Sequence, residues 1–269
     1  LHLIVRVLYG MLMAQNTNNK INDTGWEVID SLNVDNLKQL RENIYNTVSK
    51  EFELKEKNSE KGFNNFHKIV KTLTDTELNA KKVDVIKKIS NDHKLVDLIY
   101  NSFSNTIESL LGKDLLVQKT INLVIQTPND LNPTIPHRDA PPNSYFELVI
   151  WIPLVDCNET KSMYTIDMKT TKKALDELEK NPDDWKNFLD KFKDKKIYPN
   201  VNFGQALFFL PYIYHGSDTN KTNETRFSLN IRFKGLFSPS GKKFPLHFFR
   251  LFKISKLTKL ALQKMKDEN

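Results

Sequence analysis

The spacing of apolar residues along the chain changes character near residue 112. Before that point apolar side chains recur at helical intervals. In "DNLKQLRENIYNTVSKEF", Leu37, Leu40, Ile44, Val48 and Phe52 fall on one face, with Asp35 as the expected N-cap. A second helix is predicted over about 77–90. A third is predicted from Asp92 to Leu111, with Leu95, Ile99, Phe103 and Leu110 turned inward and Gly112 as its stop. These stripes are core-forming rather than cofactor-binding.

Beyond residue 115 the segments become short and rich in β-branched and aromatic residues. They are "LLVQKTINLVIQ" (115–126), "YFELVIWIPL" (145–154), "SMYTI" (162–166), "QALFFL" (205–210) and "TRFSLNIRF" (225–233). Several alternate with period two, and turn formers such as Asn129-Asp130, Pro141-Pro142 and Gly204 separate them. A charged helical insertion, 169–196, broken at Pro182, lies between the third and fourth. Helices first and strands later predict an α+β fold, and several strands at this spacing predict a barrel or jelly roll. The expected organisation is one domain over 15–269. It has a helical layer at about 28–112, a strand core at about 115–236 and a basic helical segment at about 242–266.

Composition refines this picture at few points. With 269 residues and 39% hydrophobic content, the chain can bury a sizeable core. The net charge of +7 comes almost wholly from Lys; Arg occurs only at 6, 41, 138, 226, 232 and 250. That excess is weak support for nucleic acid and fits anionic sugars or nucleotides equally well. The single cysteine, Cys157, allows no internal disulfide and fits a reducing, cytoplasmic setting. The apolar start "LHLIVRVLYGMLMA" is shorter than the roughly 20 residues of a spanning helix. It reads as an extension (1–14) with a natural start at Met11 or Met13, and no stable membrane insertion is expected; the alternative is a short membrane anchor.

The chemistry begins at "TIPHRDAPPNS". His-Arg-Asp occurs in the catalytic loop of protein kinases, but a kinase also needs an Asn five residues after the Asp, a Gly-rich loop and a Asp-Phe-Gly motif. Position 144 is Ser, and both motifs are missing from the sequence. The other use of His-x-Asp is in iron centres with two His and one carboxylate on one face of the metal. On an extended segment residues two apart point to one side, so His137 and Asp139 can share an ion. A second His must come later, from His215 or His247. His215 follows an apolar strand; His247 lies in a basic aromatic stretch and reads as a surface or packing residue. Alone, His215 would pass for a loop histidine.

The strand "RFSLNIR" supplies context. Arg226, Ser228, Asn230 and Arg232 share one face, and Phe227, Leu229 and Ile231 the other. A polar face carrying two arginines is costly inside a barrel unless it meets an anion. The open alternative is a face turned to solvent.

His-x-Asp, a distant His and Arg-x-Ser about ten residues later resemble the pattern of Fe(II)/2-oxoglutarate-dependent oxygenases. The stretches "INLVIQTPND…PHRD…FELVIWIPLVDCNETKSMYTI" and "GQALFF…HGSDTNKTNETRFSLNIRFK" are similar to those of the carbohydrate-cluster, streptomycin-biosynthesis type within the phytanoyl-CoA hydroxylase-like group. The resemblance spans roughly 115–260 and implies a double-stranded β-helix, or jelly roll. It implies Fe(II) on His137, Asp139 and His215, with 2-oxoglutarate chelating the metal and O2 as the oxidant. Arg226 would clamp the far carboxylate of 2-oxoglutarate and Ser228 would bond beside it. The implied activity is a dioxygenase that hydroxylates a C–H bond, with desaturation as the variant outcome. Halogenation is disfavoured because Asp139 is present.

For Arg232 two readings stay open: a second cosubstrate contact, or an ion pair that holds its strand. Asn122 and Gln118, four apart, are expected on one side of the first strand, within reach of cosubstrate or substrate. Trp151 and Met163 line the substrate mouth or, as the stronger reading, pack in the core. The expected substrate is a small molecule or glycan, with a sugar-containing compound favoured. Two alternatives are a non-catalytic jelly-roll metal- or ligand-binding protein and a nucleic-acid demethylase. The second is disfavoured because the insertion lacks an Arg- and aromatic-rich lid. The basic C-terminal stretch reads as a solvated helix packed on the barrel, or as a platform for a phosphorylated or membrane-bound glycan.

Overall fold

The computed structural model describes residues 20–140, 144–181, 192–240 and 245–267. The apolar N-terminal extension, the Pro141-Pro142 turn, the break at Pro182 and Lys242-Lys243 lie outside the described residues. A short helix α1 (Lys20–Thr24) leads into strand β1 (Trp26–Asp30). Helices α2 (Val34–Phe52), α3 (Ser59–Asn64), α4 (Phe66–Ile69), α5 (Asp75–Asn91) and α6 (His93–Leu111) follow. Next come β2 (Leu115–Gln118), β3 (Asn122–Gln126), β4 (Glu147–Pro153), β5 (Tyr164–Thr165) and helix α7 (Met168–Lys180). The chain continues through β6 (Gln205–Phe209), β7 (His215–Gly216), β8 (Arg226–Gly235), α8 (Pro245–Phe248), β9 (Phe249–Lys253) and α9 (Lys256–Asp267).

The helix ends follow from local chemistry. Thr74 and Glu77 form a reciprocal capping box at α5. The Asp92 side chain accepts from the Lys94 amide at α6, and Gly112 ends that helix at φ 79°. At α2 the cap is Asn33, not Asp35. Asn33 is extended and its Oδ1 accepts from the Asp35 amide at 2.9 Å, which places Asp35 inside the first turn. There Asp35 pairs with Lys38 at 2.8 Å. The predicted stripe of α2 is buried in full, as are Leu95, Ile99 and Phe103 of α6; Leu110 is only partly buried.

Seven antiparallel strands form one sheet, in the order β1-β6-β4-β8-β2-β9, with β3 also on β8. Strand β8 is the hub. Its first half pairs with β3 and its last residues with β2, while β4 runs along its other edge. A second, two-stranded sheet joins β5 to β7 and is widened by bridges His137–His215 and Thr165–Ile197.

The two faces of β8 have different neighbours. Phe227 stacks on Phe63 at 4.3 Å between ring centres and meets Phe66 edge-on at 5.0 Å. The odd positions thus face the helical layer. The even positions face the small sheet, where Arg232 reaches Asp139. The alternation of polar and apolar residues in "RFSLNIR" therefore divides core from site, and Arg226, Ser228 and Arg232 are buried rather than turned to solvent.

Three further expectations are corrected. The stretch 115–126 is not one strand: β2 pairs with β9, and β3 pairs with β8. Gln118 and Asn122 therefore belong to different strands, yet the registers Leu116–Lys234 and Asn122–Asn230 put both on the side of the even positions of β8. The basic segment 242–266 is not wholly helical, because Phe249–Lys253 is a strand on β2; its Lys and Arg obscure a five-residue alternation. The strand β1, which extends the sheet beyond β6, lay in a stretch assigned to the helical layer.

Candidate metal centre and anion pocket

The two histidines are held by one another's backbone. His137 N–H donates to His215 O and His215 N–H to His137 O, both at 3.0 Å. This close antiparallel pair places the rings 4.3 Å apart between centres. Gly216 allows the packing: a Cβ there would lie 2.8 Å from the Thr134 carbonyl oxygen and 2.6 Å from the Tyr164 hydroxyl.

Each ring is fixed in one tautomer. His137 Nδ1 lies 2.8 Å from Ile135 O, and His215 Nδ1 lies 3.1 Å from Ile213 O. A carbonyl oxygen can only accept, so Nδ1 carries the proton in both rings. In the neutral ring Nε2 then holds the lone pair, the form a metal requires. Burial pushes the His215 pKa down to about 4, which keeps the ring neutral.

Asp139 completes the group. Nitrogen and oxygen donors of His137, Asp139 and His215 all lie within 4.8 Å of one another. Burial raises the Asp139 pKa, but the facing Arg232 and the two histidines outweigh it and hold the carboxyl below its usual range. Arg232 Nη2 is 2.7 Å from Asp139 Oδ1. Asp139 Oδ2 is buried without a hydrogen-bond partner and lies 3.9 Å from His215 Nε2. One oxygen is therefore anchored and the other directed at the histidines. Two Nε2 atoms and one orphaned carboxylate oxygen, on one side of a gap, fit a divalent transition metal that leaves further positions open.

Beside this group is a cavity of about 110 Å³, bounded among others by His137, His215, Trp151, Met163, Asn230 and Arg226. Trp151 and Met163 are thus both core residues and cavity wall. A larger cavity of about 370 Å³ shares Val124, Thr134, Ser217 and Arg226 with it. Arg226 is 3% exposed, and its Nε and Nη1 have no partner. Burial lowers its pKa to about 10. Ser228 Oγ and Asn230 Oδ1 are also buried without partners. A buried guanidinium with unmet donors is costly in isolation and calls for an anion.

The larger cavity also contains a residue that periodicity did not reveal. Lys82 projects from α5 beside Asp75, Leu78 and Asn79, with Asp130 on the opposite wall. Its pKa is lowered by burial, and further by Arg226, while Asp130 opposes the shift. Two cations from distant parts of the chain therefore meet there. The only sequence signal was the polar side of an amphipathic helix, which normally marks solvent.

The structure brings His137, Asp139 and His215 together, and Arg226 and Ser228 share the inner face of β8 with Asn230. Asn122 sits directly across from Asn230 on β3 and so shares that face. Arg232 is in an ion pair with Asp139, the second of its two open readings. Gln118 is buried at the end of β2, on the same side of the sheet, two residues beyond Leu116, which pairs with Lys234. His247 lies on α8, outside the metal-binding group.

Comparison with known proteins gives the site its context. No curated protein matches the chain by sequence. Among solved structures, the "Non-heme monooxygenase, ThoJ-Ni complex" superposes with a TM-score of 0.52 at 14% identity, covering 92% of this chain and 93% of that one. The "non-heme alpha ketoglutarate dependent carbocyclase SnoK from nogalamycin biosynthesis" gives 0.54 at 14% identity, covering 89% and 98%. At this identity the likeness is one of fold. The family model for phytanoyl-CoA dioxygenase (PhyH) matches residues 28–228, well over half of the sequence, and the chain belongs to that family.

Proposed function

We propose that this protein is a 2-oxoglutarate-dependent, non-haem iron oxygenase with a double-stranded β-helix core, hydroxylating a small, sugar-containing molecule or glycan. One observation carries the reading: two unsatisfied buried half-sites border one cavity. At one end are the Nε2 atoms of two histidines and an orphaned carboxylate oxygen. At the other is a guanidinium with two unpaired donors. A dicarboxylate keto acid meets both demands, chelating metal at one end and pairing with Arg226 at the other.

In this reading His137, Asp139 and His215 hold Fe(II), which with 2-oxoglutarate supplies oxygen activation for oxidation of a substrate C–H bond. Arg232 keeps Asp139 ionised and aimed. Arg226 and Ser228 receive the far carboxylate, and Asn122 and Asn230 flank the path between the half-sites. Trp151 and Met163 give the cavity apolar wall, which excludes water from the reacting carbon. Lys82 adds a second positive charge to the Arg226 end. Lys82→Met is expected to raise the 2-oxoglutarate Kd several-fold and leave iron content unchanged, because the lysine is half-buried and partly screened. Unchanged affinity in calorimetry would remove it from the site.

The test of function is succinate formation. Protein reconstituted with Fe(II) under nitrogen, then given 2-oxoglutarate and oxygen, is expected to release succinate slowly, and faster with a true substrate from a panel of sugar nucleotides and glycosides. Tight binding of metal and 2-oxoglutarate with no succinate under any condition would favour the non-catalytic binding protein.

A further inference from the structure

We propose that the C-terminal helix α9 docks the protein on an anionic lipid surface. The helix stands on the body by little. Thr258 is its one buried residue, and its start is tied down by Ser255, whose amide donates to Asp114 Oδ1 at 2.6 Å. Its apolar side chains remain in solvent: Leu257 is 77% exposed, Leu260 52% and Leu262 53%. Leu260 and Ala261 lie three and four residues after Leu257, so the three share one side of the helix. Lys259 and Lys266 lie on the opposite arc with Leu262 beside them, Lys256 lies at the edge between the two sides, and Lys264 falls on the Leu257–Leu260 side. Residues 256–266 contain no Asp or Glu, and the acid of the helix is its last residue, Asp267, so the four lysines outnumber it.

A second exposed apolar group lies at the same anchor. Leu236 N–H donates to Asp114 O at 2.7 Å, and the adjoining Phe237 is 76% exposed. Asp114 thus joins both elements at one end of the molecule.

A wholly solvated helix gains nothing from exposed leucines, and a protein partner would explain the leucines without the run of lysines. An anionic bilayer explains both, since apolar side chains enter the acyl boundary while ammonium groups meet the headgroups. Nucleic acid would use the lysines and leave the leucines in water. Among the described residues no helix is long and apolar enough to cross a membrane, so the mode is surface attachment.

Full-length protein should be sedimented with vesicles of phosphatidylcholine alone, and with vesicles in which one lipid in three is phosphatidylglycerol. Binding is expected only to the anionic vesicles, and should weaken at about 0.5 M salt, where the Debye length shrinks to a few ångströms. Replacing Lys256, Lys259, Lys264 and Lys266 by Glu should reduce partitioning by more than about a hundredfold, since each lysine near such a surface contributes about fivefold. Leu257→Ser with Leu260→Ser should reduce it by at least about tenfold. Iron content should be unchanged in both variants, which shows that the fold survives. Absence of anionic-vesicle binding, or full binding by the serine variant, would overturn the proposal. So would a concentration-dependent dimer in solution that the serine variant abolishes, because the helix would then be an interface between copies.

Discussion

Truncation of either histidine should leave a folded protein that neither retains stoichiometric Fe(II) nor forms succinate. The two sites offer complementary controls. His215 is buried and donates through Nδ1 to Ile213 O, so His215→Ala removes packing as well as a ligand. His137 is partly exposed, so His137→Ala leaves the core almost untouched. Both should lose metal alike if both are ligands. Loss of a group that only hydrogen-bonds a metal ligand typically lowers metal affinity by about 10–100-fold, and loss of a ligand should exceed that. Asp139→Ala is the less clean test, because it also leaves Arg232 buried opposite nothing, and an unpaired buried charge destabilises by about 3–5 kcal/mol. Metal analysis of gel-filtered protein with matched circular dichroism separates these effects. Full iron content in both histidine variants would remove the proposed centre.

Much of this site was legible because its chemistry is repeated at short range. His137-x-Asp139 is an extended triplet whose geometry is set by the backbone alone, and the Arg226–Arg232 alternation needed only the period of a strand. Asn122 was likewise placed by alternation, since register sets it opposite Asn230. What remained hidden depends on long-range pairing. Lys82 meets Arg226 across a sequence separation of 144, through the packing of α5 on β3. Arg232 could not be assigned from its strand, because the choice turned on whether Asp139 lay within reach. Strands β1 and β9 were missed because each adjoins helical or lysine-rich sequence and takes its stability from a neighbour, β6 or β2. Their own patterns do not outweigh that surrounding sequence. The N-cap of α2 was displaced by two residues because Asp and Asn are both good caps, and backbone conformation decided between them.

Arg226→Met should damage cosubstrate binding and yet stabilise the protein in its absence. The first effect follows from the pairing proposed for Arg226. Each charge-assisted bond contributes about 1.5–3 kcal/mol, so losing a two-pronged pair should raise the 2-oxoglutarate Kd by at least about tenfold, and by about a hundredfold if both bonds form fully. Arg226→Lys restores the charge without the fork and should stay impaired. Iron affinity should hardly change, because His137, Asp139 and His215 are untouched. The second effect follows from the orphaned Nε and Nη1 atoms. Without an anion, Arg226 is a buried cation whose solvation is lost and not replaced, so an apolar side chain of similar length relieves that cost. Ligand-free Arg226→Met should therefore melt higher than the parent, and adding 2-oxoglutarate with Fe(II) should raise the melting temperature of the parent far more than that of the variant. A structural arginine would behave in the opposite way, since its removal lowers the melting temperature and leaves ligand affinity intact. Anaerobic titration of 2-oxoglutarate into Fe(II)-loaded protein, run beside thermal melts with and without cosubstrate, distinguishes the two. Unchanged affinity in Arg226→Met would transfer the clamp to Lys82 or Arg232, the other cations beside the cavity and the metal group.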